Sequence, residues 1–487
     1  MESILEKLLA DNNSIQEETK ELREAFEDPG VISSLCNVLV SSSNPQVRQN
    51  AAVLLRKRLS KSQHWTRLSA EAKAGIKEGL IQVYVKEQEK VVKNAIVQLI
   101  GTIMKLESGK LGWPEMMECL KMWVNSSVLE EKFLGLFALS ILAEVVPDVF
   151  MEQYPVALYF SQMLVQTLRM PDISASPLAH LTLVCLAHFA PPVQHDQIAA
   201  LYTESIPTML ALIGDLAKNL RGNSALEAMQ VIDKLLENNP AVLQPHLRLL
   251  VNFCLDIAFT RLPSITDEMR NKVFNTLSEV VRVKKRVIVC DDLVSPILRV
   301  VFELIGKIPA GSGDGGEEEK QEEYFVEYED DSTPTTCAIQ LLDTMALHLP
   351  PDKLLPLLME CVEPSVTSAD PCARKAAYLS MAMVSERCAD YVRTKHLEQF
   401  LRYVRQGITE QNTPVRNAAL FALGQFSEHL QFYINMTESS TDKGHKVIDQ
   451  LKSMSGIPNL SLFLLEARTY EELHNYIFVK NLTGFSS

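Results

Sequence analysis

Few stretches of this chain hold residue types able to do chemistry, and each is quickly bounded. The run GSGDGG (Gly311–Gly316) has the glycine spacing of a phosphate-binding turn. Such a turn cradles a pyrophosphate only when a strand precedes it and a helix N-terminus follows. Here a helical segment precedes it and EEEKQEE follows, whose carboxylates would repel phosphate, so it reads as a flexible linker. The ten histidines include no HExxH, and His180 and His188, which share one segment, do not make a metal shell. The nine cysteines (Cys36, Cys119, Cys185, Cys254, Cys290, Cys337, Cys361, Cys372 and Cys388) include no CxxC. No P-loop, GxSxG or kinase signature occurs, and no carboxylates pair in an acid/base arrangement. The expectation is a protein that is not an enzyme, with no catalytic residues, no metal and no cofactor.

What remains is charge. The formal net charge is −14, and one stretch, Asp314–Asp331, is densely acidic. Its carboxylates Glu317, Glu318, Glu319, Glu322, Glu323, Glu327, Glu329, Asp330 and Asp331 surround Tyr324, Phe325 and Tyr328. Carboxylates interleaved with aromatic rings suit a Lys/Arg-rich segment, through charge and cation–π contact. These acids are therefore candidates for binding basic cargo or for an autoinhibitory contact, with an inert solvated loop as the alternative. An acidic chain disfavours direct binding of nucleic acid. Two short basic clusters, RKRL (Arg56–Leu59) and RVKKR (Arg282–Arg286), read as helix ends where positive charge complements the dipole. Contact with an acidic partner surface is the alternative.

The elements that must position these groups are helices. Hydrophobic residues are 47% of the chain and aromatics only 7%, a balance suited to helix packing. The most apolar stretch, Phe133–Ala143, is too short to span a bilayer and predicts a buried helix with no membrane insertion. The scattered cysteines predict reduced core residues in a cytosolic or nuclear protein. The start, MESILEKLLADNN, does not read as a signal peptide.

One phrase recurs. NPQVRQNAAVLL (Asn44–Leu55) returns as NTPVRNAALFAL (Asn412–Leu423). Related words centre on Lys93, Lys132, Arg270 and Arg374, and weaker ones on His180, Glu227 and Thr335. From Arg48 to Arg416 these anchors lie 39–48 residues apart, except for a gap of 65 that contains the acidic stretch. That period belongs to repeats of two helices. In the first phrase Val47, Ala51, Leu54, Leu55 and Leu59 recur at helical spacing, with Asn44 and Pro45 as start signals. One helical pair cannot cover its apolar face, so neighbours must stack. The small Ala51–Ala52 and Ala418–Ala419 pairs allow close approach. The basic residue opening each second helix (Arg48, Lys93, Arg270, Arg374 and Arg416) is expected to form a structural ladder by bonding into the neighbouring repeat. The fold class is thus all-α: an α-solenoid, or superhelix, of about ten pairs.

The Asp/Asn-Pro followed by Val-Arg-x-x-Ala resembles the HEAT repeat, from Ser3 to Gln431. NPQVRQNAAVLLRKRL near the start, ALHLPPDKLLPLLM (Ala346–Met359) and NAALFALGQFSEHLQ (Asn417–Gln431) resemble the importin-β, or karyopherin-β, family. The acidic insert before STPTTCAIQLLDTMALHLPP sits where that family has one. The resemblance implies a HEAT solenoid over residues 1–431, an importin-β N-terminal region at about 14–108, and an acidic insertion loop at 309–333. It implies a nuclear transport receptor that shuttles between cytoplasm and nucleus through the nuclear pore. Its partners would be Ran-GTP, basic cargo such as histones and ribosomal proteins, and Phe-Gly nucleoporins. Ran contacts would fall on polar positions of the early second helices: Glu18, Glu21, Gln49, Asn50, Asn94 and Gln98. After Gln431 the words depart from the family. Residues 432–487 read as a divergent tail, with HKVIDQLKSM and TYEELHNYIFVKNL as helices that cap the last repeat, and the chain as a truncated form. The alternatives are a HEAT scaffold for a protein complex and a truncated competitive regulator of import.

Overall fold

The first phrase becomes a helix because its turn supplies a cap. Asn44 Oδ1 accepts a hydrogen bond from the Gln46 backbone N–H at 3.0 Å, and Pro45 fills the first helical position. The same device opens later second helices: Asp370 Oδ1 accepts from Cys372 N at 2.9 Å, Thr333 Oγ1 from Thr336 N at 3.2 Å, and Asn412 Oδ1 from Val415 N at 3.2 Å. Each such cap contributes about 0.5–2 kcal/mol.

The computed structural model describes residues 1–10, 26, 28, 30–107, 113–219, 222–307 and 333–436. Among the described residues every regular element is a helix. The chain divides into two compact units, Met1–Leu250 and Val251–Ser487. In the first, α1 (Glu2–Ala10) is followed by the pairs α2 (Val31–Ser41) with α3 (Pro45–Leu59), α4 (Ala70–Lys86) with α5 (Lys90–Leu106), α6 (Pro114–Asn125) with α7 (Leu129–Val145), and α8 (Tyr154–Leu168) with α9 (Leu178–His188). Next come α10 (Asp196–Lys218) and a second helix broken into α11 (Gly222–Ala228) and α12 (Gln230–Asn238). Second helices pack in a row, α3 on α5, α5 on α7, α7 on α9 and α9 on α12. After the helix Leu247–Phe259, the second unit holds α13 (Asp267–Cys290), α14 (Val294–Ile305) with α15 (Pro334–His348), α16 (Pro351–Val366) with α17 (Pro371–Arg387), and α18 (Leu397–Gly407) with α19 (Thr413–Met436). Its second helices also form a row, α13 on α15, α15 on α17 and α17 on α19. All nine anchors lie in second helices. Within each unit this is the α-solenoid arrangement, with second helices stacked on their sequence neighbours.

The buried stripe follows the repeat. On α3, Val47, Ala51, Ala52, Leu55 and Leu59 are essentially inaccessible. Full burial of each larger aliphatic side chain contributes about 1.5–3 kcal/mol. Leu54, expected among them, is half-buried, because it lies at the edge of the stripe. Close approach is tight at Gly135 of α7, where an added Cβ would meet Val124 N at 2.7 Å and Trp123 Cβ at 2.8 Å.

One expectation needs correction and one needs refinement. RVKKR lies at a break between two helical segments of α13: Lys284 is non-helical (φ −119°, ψ 27°), so Arg282 stands at the end of the first segment, while Lys285 and Arg286 belong to the second, which runs to Cys290. RKRL does close α3. The cysteines are all free, but only Cys185, Cys254, Cys337 and Cys388 are buried. Cys290 is exposed because it is the last residue of α13, beyond the packed part of that helix.

Candidate interaction surface

Arg48 stands one turn into α3, and its guanidinium reaches in two directions. Nη1 donates to the carbonyls of Ser42 (3.0 Å) and Ser43 (3.1 Å) in its own turn. Nε and Nη2 donate to Glu87 Oε2 (2.8 Å) and Oε1 (2.9 Å) in the turn before α5. Glu87 Oε1 in turn accepts from the backbone N–H groups of Gln88 (2.9 Å) and Glu89 (3.0 Å). One carboxylate therefore holds the turn that leads into the next second helix and pairs with the previous one. Burial alone would raise the Glu87 carboxyl, but the Arg48 bond and these two N–H groups outweigh it and hold it below the ordinary range.

Arg374 repeats the arrangement in the second unit. Its Nη1 donates to Ser368 O (2.7 Å) and Ala369 O (3.1 Å), and its Nε lies 3.1 Å from Glu410 Oε1. Arg416 Nη1 donates to the main-chain carbonyl of Glu410 at 3.0 Å, a bond within its own turn like that of Arg48 to Ser42. His180 Nε2 lies 2.7 Å from Glu227 Oε2, joining two of the weaker anchors across α9 and α11. The remaining basic anchors differ. Arg270 bonds Asp267 Oδ1 (2.7 Å) and Thr260 O (3.0 Å), both within its own repeat. Buried Lys132 donates from Nζ to Val124 O at 2.6 Å. Lys93, among the described residues, has no side-chain hydrogen bond or ion pair.

Glu87 and Glu410 were not singled out from sequence, yet a signal exists. Each lies six residues before the next anchor, Lys93 and Arg416 respectively. Ser42 and Ser368 hold the same position before Arg48 and Arg374, and supply carbonyls to them. A second cluster was also unforeseen. Glu107 accepts from Trp65 Nε1 (2.8 Å) and Lys77 Nζ (2.6 Å), and Lys77 lies over the Trp113 ring at 5.5 Å. Here too burial opposes ionisation, and the Lys77 and Trp65 bonds prevail to lower the carboxyl.

The polar candidates fall on the packed helices α3 and α5. Gln49 and Asn50 are half-buried on α3; Asn94 is exposed and Gln98 half-buried on α5. Gln98 Nε2 donates to Asn94 Oδ1 at 2.7 Å. In repeat register Gln49 matches Asn94, whereas Asn50 matches the buried Ala95. Glu18, Glu21 and the whole acidic run, including Glu317–Glu319, Glu322, Glu323, Glu327 and Glu329–Asp331, lie outside the described residues, as does GSGDGG. So does the tail after Met436. Among the described residues no group of His, Cys, Asp and Glu is arranged to hold a metal, and no helix is long and apolar enough to cross a membrane.

A family model for the importin-beta N-terminal domain matches residues 19–86, and one for IPO5-like, TPR repeats matches 88–253. Importin-4 of Mus musculus is 33% identical over 437 residues, and importin-4 of Homo sapiens 32%. The chain belongs to the importin-β family. The alignments cover 89% and 88% of this chain but 39% of each importin-4, so the chain spans about two fifths of those relatives' length. The crystal structure of Kap121p shares the fold, with a TM-score of 0.74 at 16% identity, covering 93% of this chain and 42% of that one. Kap121p has also been solved bound to RanGTP and to Nup53p. Within this importin-β-family chain, the N-terminal-domain match takes in α2, α3 and α4, which carry Arg48, Gln49 and Asn50.

Proposed function

We propose that this chain acts as a nuclear transport receptor of the importin-β type and that it binds Ran-GTP and basic cargo. The observation that carries this reading is the importin-beta N-terminal domain match over residues 19–86 on a stack of capped helical pairs. Gln49, Asn50, Asn94 and Gln98, with Glu18 and Glu21, are the proposed Ran-facing residues. The polar strip formed by Gln49, Asn94 and Gln98 on adjacent helices supports this, since it offers amide donors and acceptors that leave most of their bonding capacity free. The Kap121p complex with RanGTP is consistent with it. The acidic run Asp314–Asp331 is the proposed site for lysine- and arginine-rich cargo, of which histones and ribosomal proteins are the expected kinds. Phe-Gly nucleoporins are the proposed pore contacts, and shuttling between cytoplasm and nucleus follows.

In a stacked array each repeat touches only its neighbours, so a ligand on one joint biases the next. The test is retention of Ran by the immobilised chain, loaded with GTP or with GDP. Retention of the GTP form alone is expected. Equal retention of both forms, or none, would reject the receptor and leave a scaffold.

A further inference from the structure

Between Asp28 and Glu71 the chain has no acidic residue, although its net charge is −14. That stretch carries Arg48, Arg56, Lys57, Arg58, Lys61 and Arg67. Arg48 is consumed by Glu87. The other five gather where α3 ends and the chain turns toward α4. Arg56, Lys57 and Arg58 form the last turn of α3, and Lys61 and Arg67 flank the short helix Ser62–Thr66. Lys57, Lys61 and Arg67 are exposed and Arg56 half-buried, and among the described residues none of the four has an ion pair. Arg58 lies with its guanidinium 6.0 Å from the Phe26 ring centre, its Nε buried without a hydrogen-bond acceptor. His64 lies among them: burial together with the charges of Arg58, Arg67 and Lys61 lowers its imidazole below the usual value.

Uncompensated like charges held together destabilise a fold by repulsion, and a terminal dipole accommodates only those in the last turn. Lys61 and Arg67 stand beyond that turn. We infer that this cationic corner is a docking site for a carboxylate-rich peptide segment of a partner protein. The patch is confined to one repeat, so it fits a short acidic segment. A long nucleic acid would need a continuous basic track, and in the next repeat, residues 71–107, six lysines are interleaved with five glutamates. The site uses none of Gln49, Asn94 and Gln98.

The probe is a fluorescent poly-glutamate peptide of about ten residues, measured by anisotropy against the full chain at ~50 mM salt, where surface charges are weakly screened. Binding is expected, with affinity falling steeply as salt rises. Reversal of three exposed cations, Lys57→Glu, Lys61→Glu and Arg67→Glu, should weaken it about tenfold or more. The control variant Lys86→Glu, Lys90→Glu and Lys395→Glu changes charge equally at exposed positions elsewhere. Unchanged helix content and melting in both variants would show that each still folds. No binding to the wild-type chain, or an equal loss in both variants, overturns the inference. Tighter binding of an oligothymidine of matched charge overturns it in favour of nucleic acid. A tenfold gain on deleting Asp314–Asp331 overturns the assignment to a partner, since the occupant would then be this chain's own acidic run.

Discussion

The Arg48–Glu87 joint should couple two repeats by a measurable amount. Glu87→Gln keeps the shape of the side chain and leaves an amide oxygen to accept from Gln88 and Glu89, but removes the charge facing Arg48. Removing one partner of a buried pair costs about 3–5 kcal/mol. Here the Glu87 side chain is 4% exposed and that of Arg48 is 16%, so solvent screens the pair only slightly. Arg48 also keeps the carbonyls of Ser42 and Ser43, so it is not left bare. Those two considerations bring the expected loss to about 2–3 kcal/mol. Arg48→Met removes the charge and retains much of the packing. The coupling in a double-mutant cycle should then be about 2 kcal/mol. All three tryptophans, Trp65, Trp113 and Trp123, lie in the repeats beside this joint, so urea unfolding followed by their fluorescence reads the relevant part of the array. A coupling under about 0.5 kcal/mol would refute the reasoning, because that is what an exposed pair gives.

Acid should weaken the same region. Glu87 and Glu107 both have carboxyls lowered in the folded state, so the folded chain holds those protons less tightly than the unfolded one. Their contribution is complete above the unfolded value of about 4.3 and is lost as pH falls through the lower folded values. Tryptophan fluorescence in an acid titration should show this, and Glu87→Gln with Glu107→Gln should flatten the profile. Gly135→Ala should destabilise the α6–α7 pair by about 1–3 kcal/mol despite alanine's helix preference, because the obstructing atoms include backbone, and thermal melting would measure it. Deleting Asp314–Asp331 should weaken binding to histone tails most at low salt; unchanged affinity there would remove the acidic run from cargo binding.

The helical pairs and the repeat period were legible because they rest on short-range signals. The Asn44 and Asp370 caps act within two residues, and the apolar stripe repeats every turn. The partners in the joints were not legible in the same way. Arg48 meets an acid 39 residues on and Arg374 one 36 residues on, and only the position six residues before the next anchor ties them together. Lys93 and Arg270 carry the same kind of residue as Arg48, yet their surroundings give them no such acid. The bend at Lys284 has no proline or glycine beside it, so no local residue announces it. Of the polar candidates, repeat register separates Gln49 and Asn94, on one strip, from Asn50, a distinction that residue type alone does not make.

The Glu87 carboxylate that finishes one repeat's joint also holds the turn that opens the next second helix. The piece that can be copied, lost or transplanted whole is therefore offset from the phrase the eye picks out. It runs from one turn carboxylate to the next, so a boundary drawn just after Leu59 would sever a guanidinium from its counter-ion, while one drawn after Glu89 would carry the pair intact.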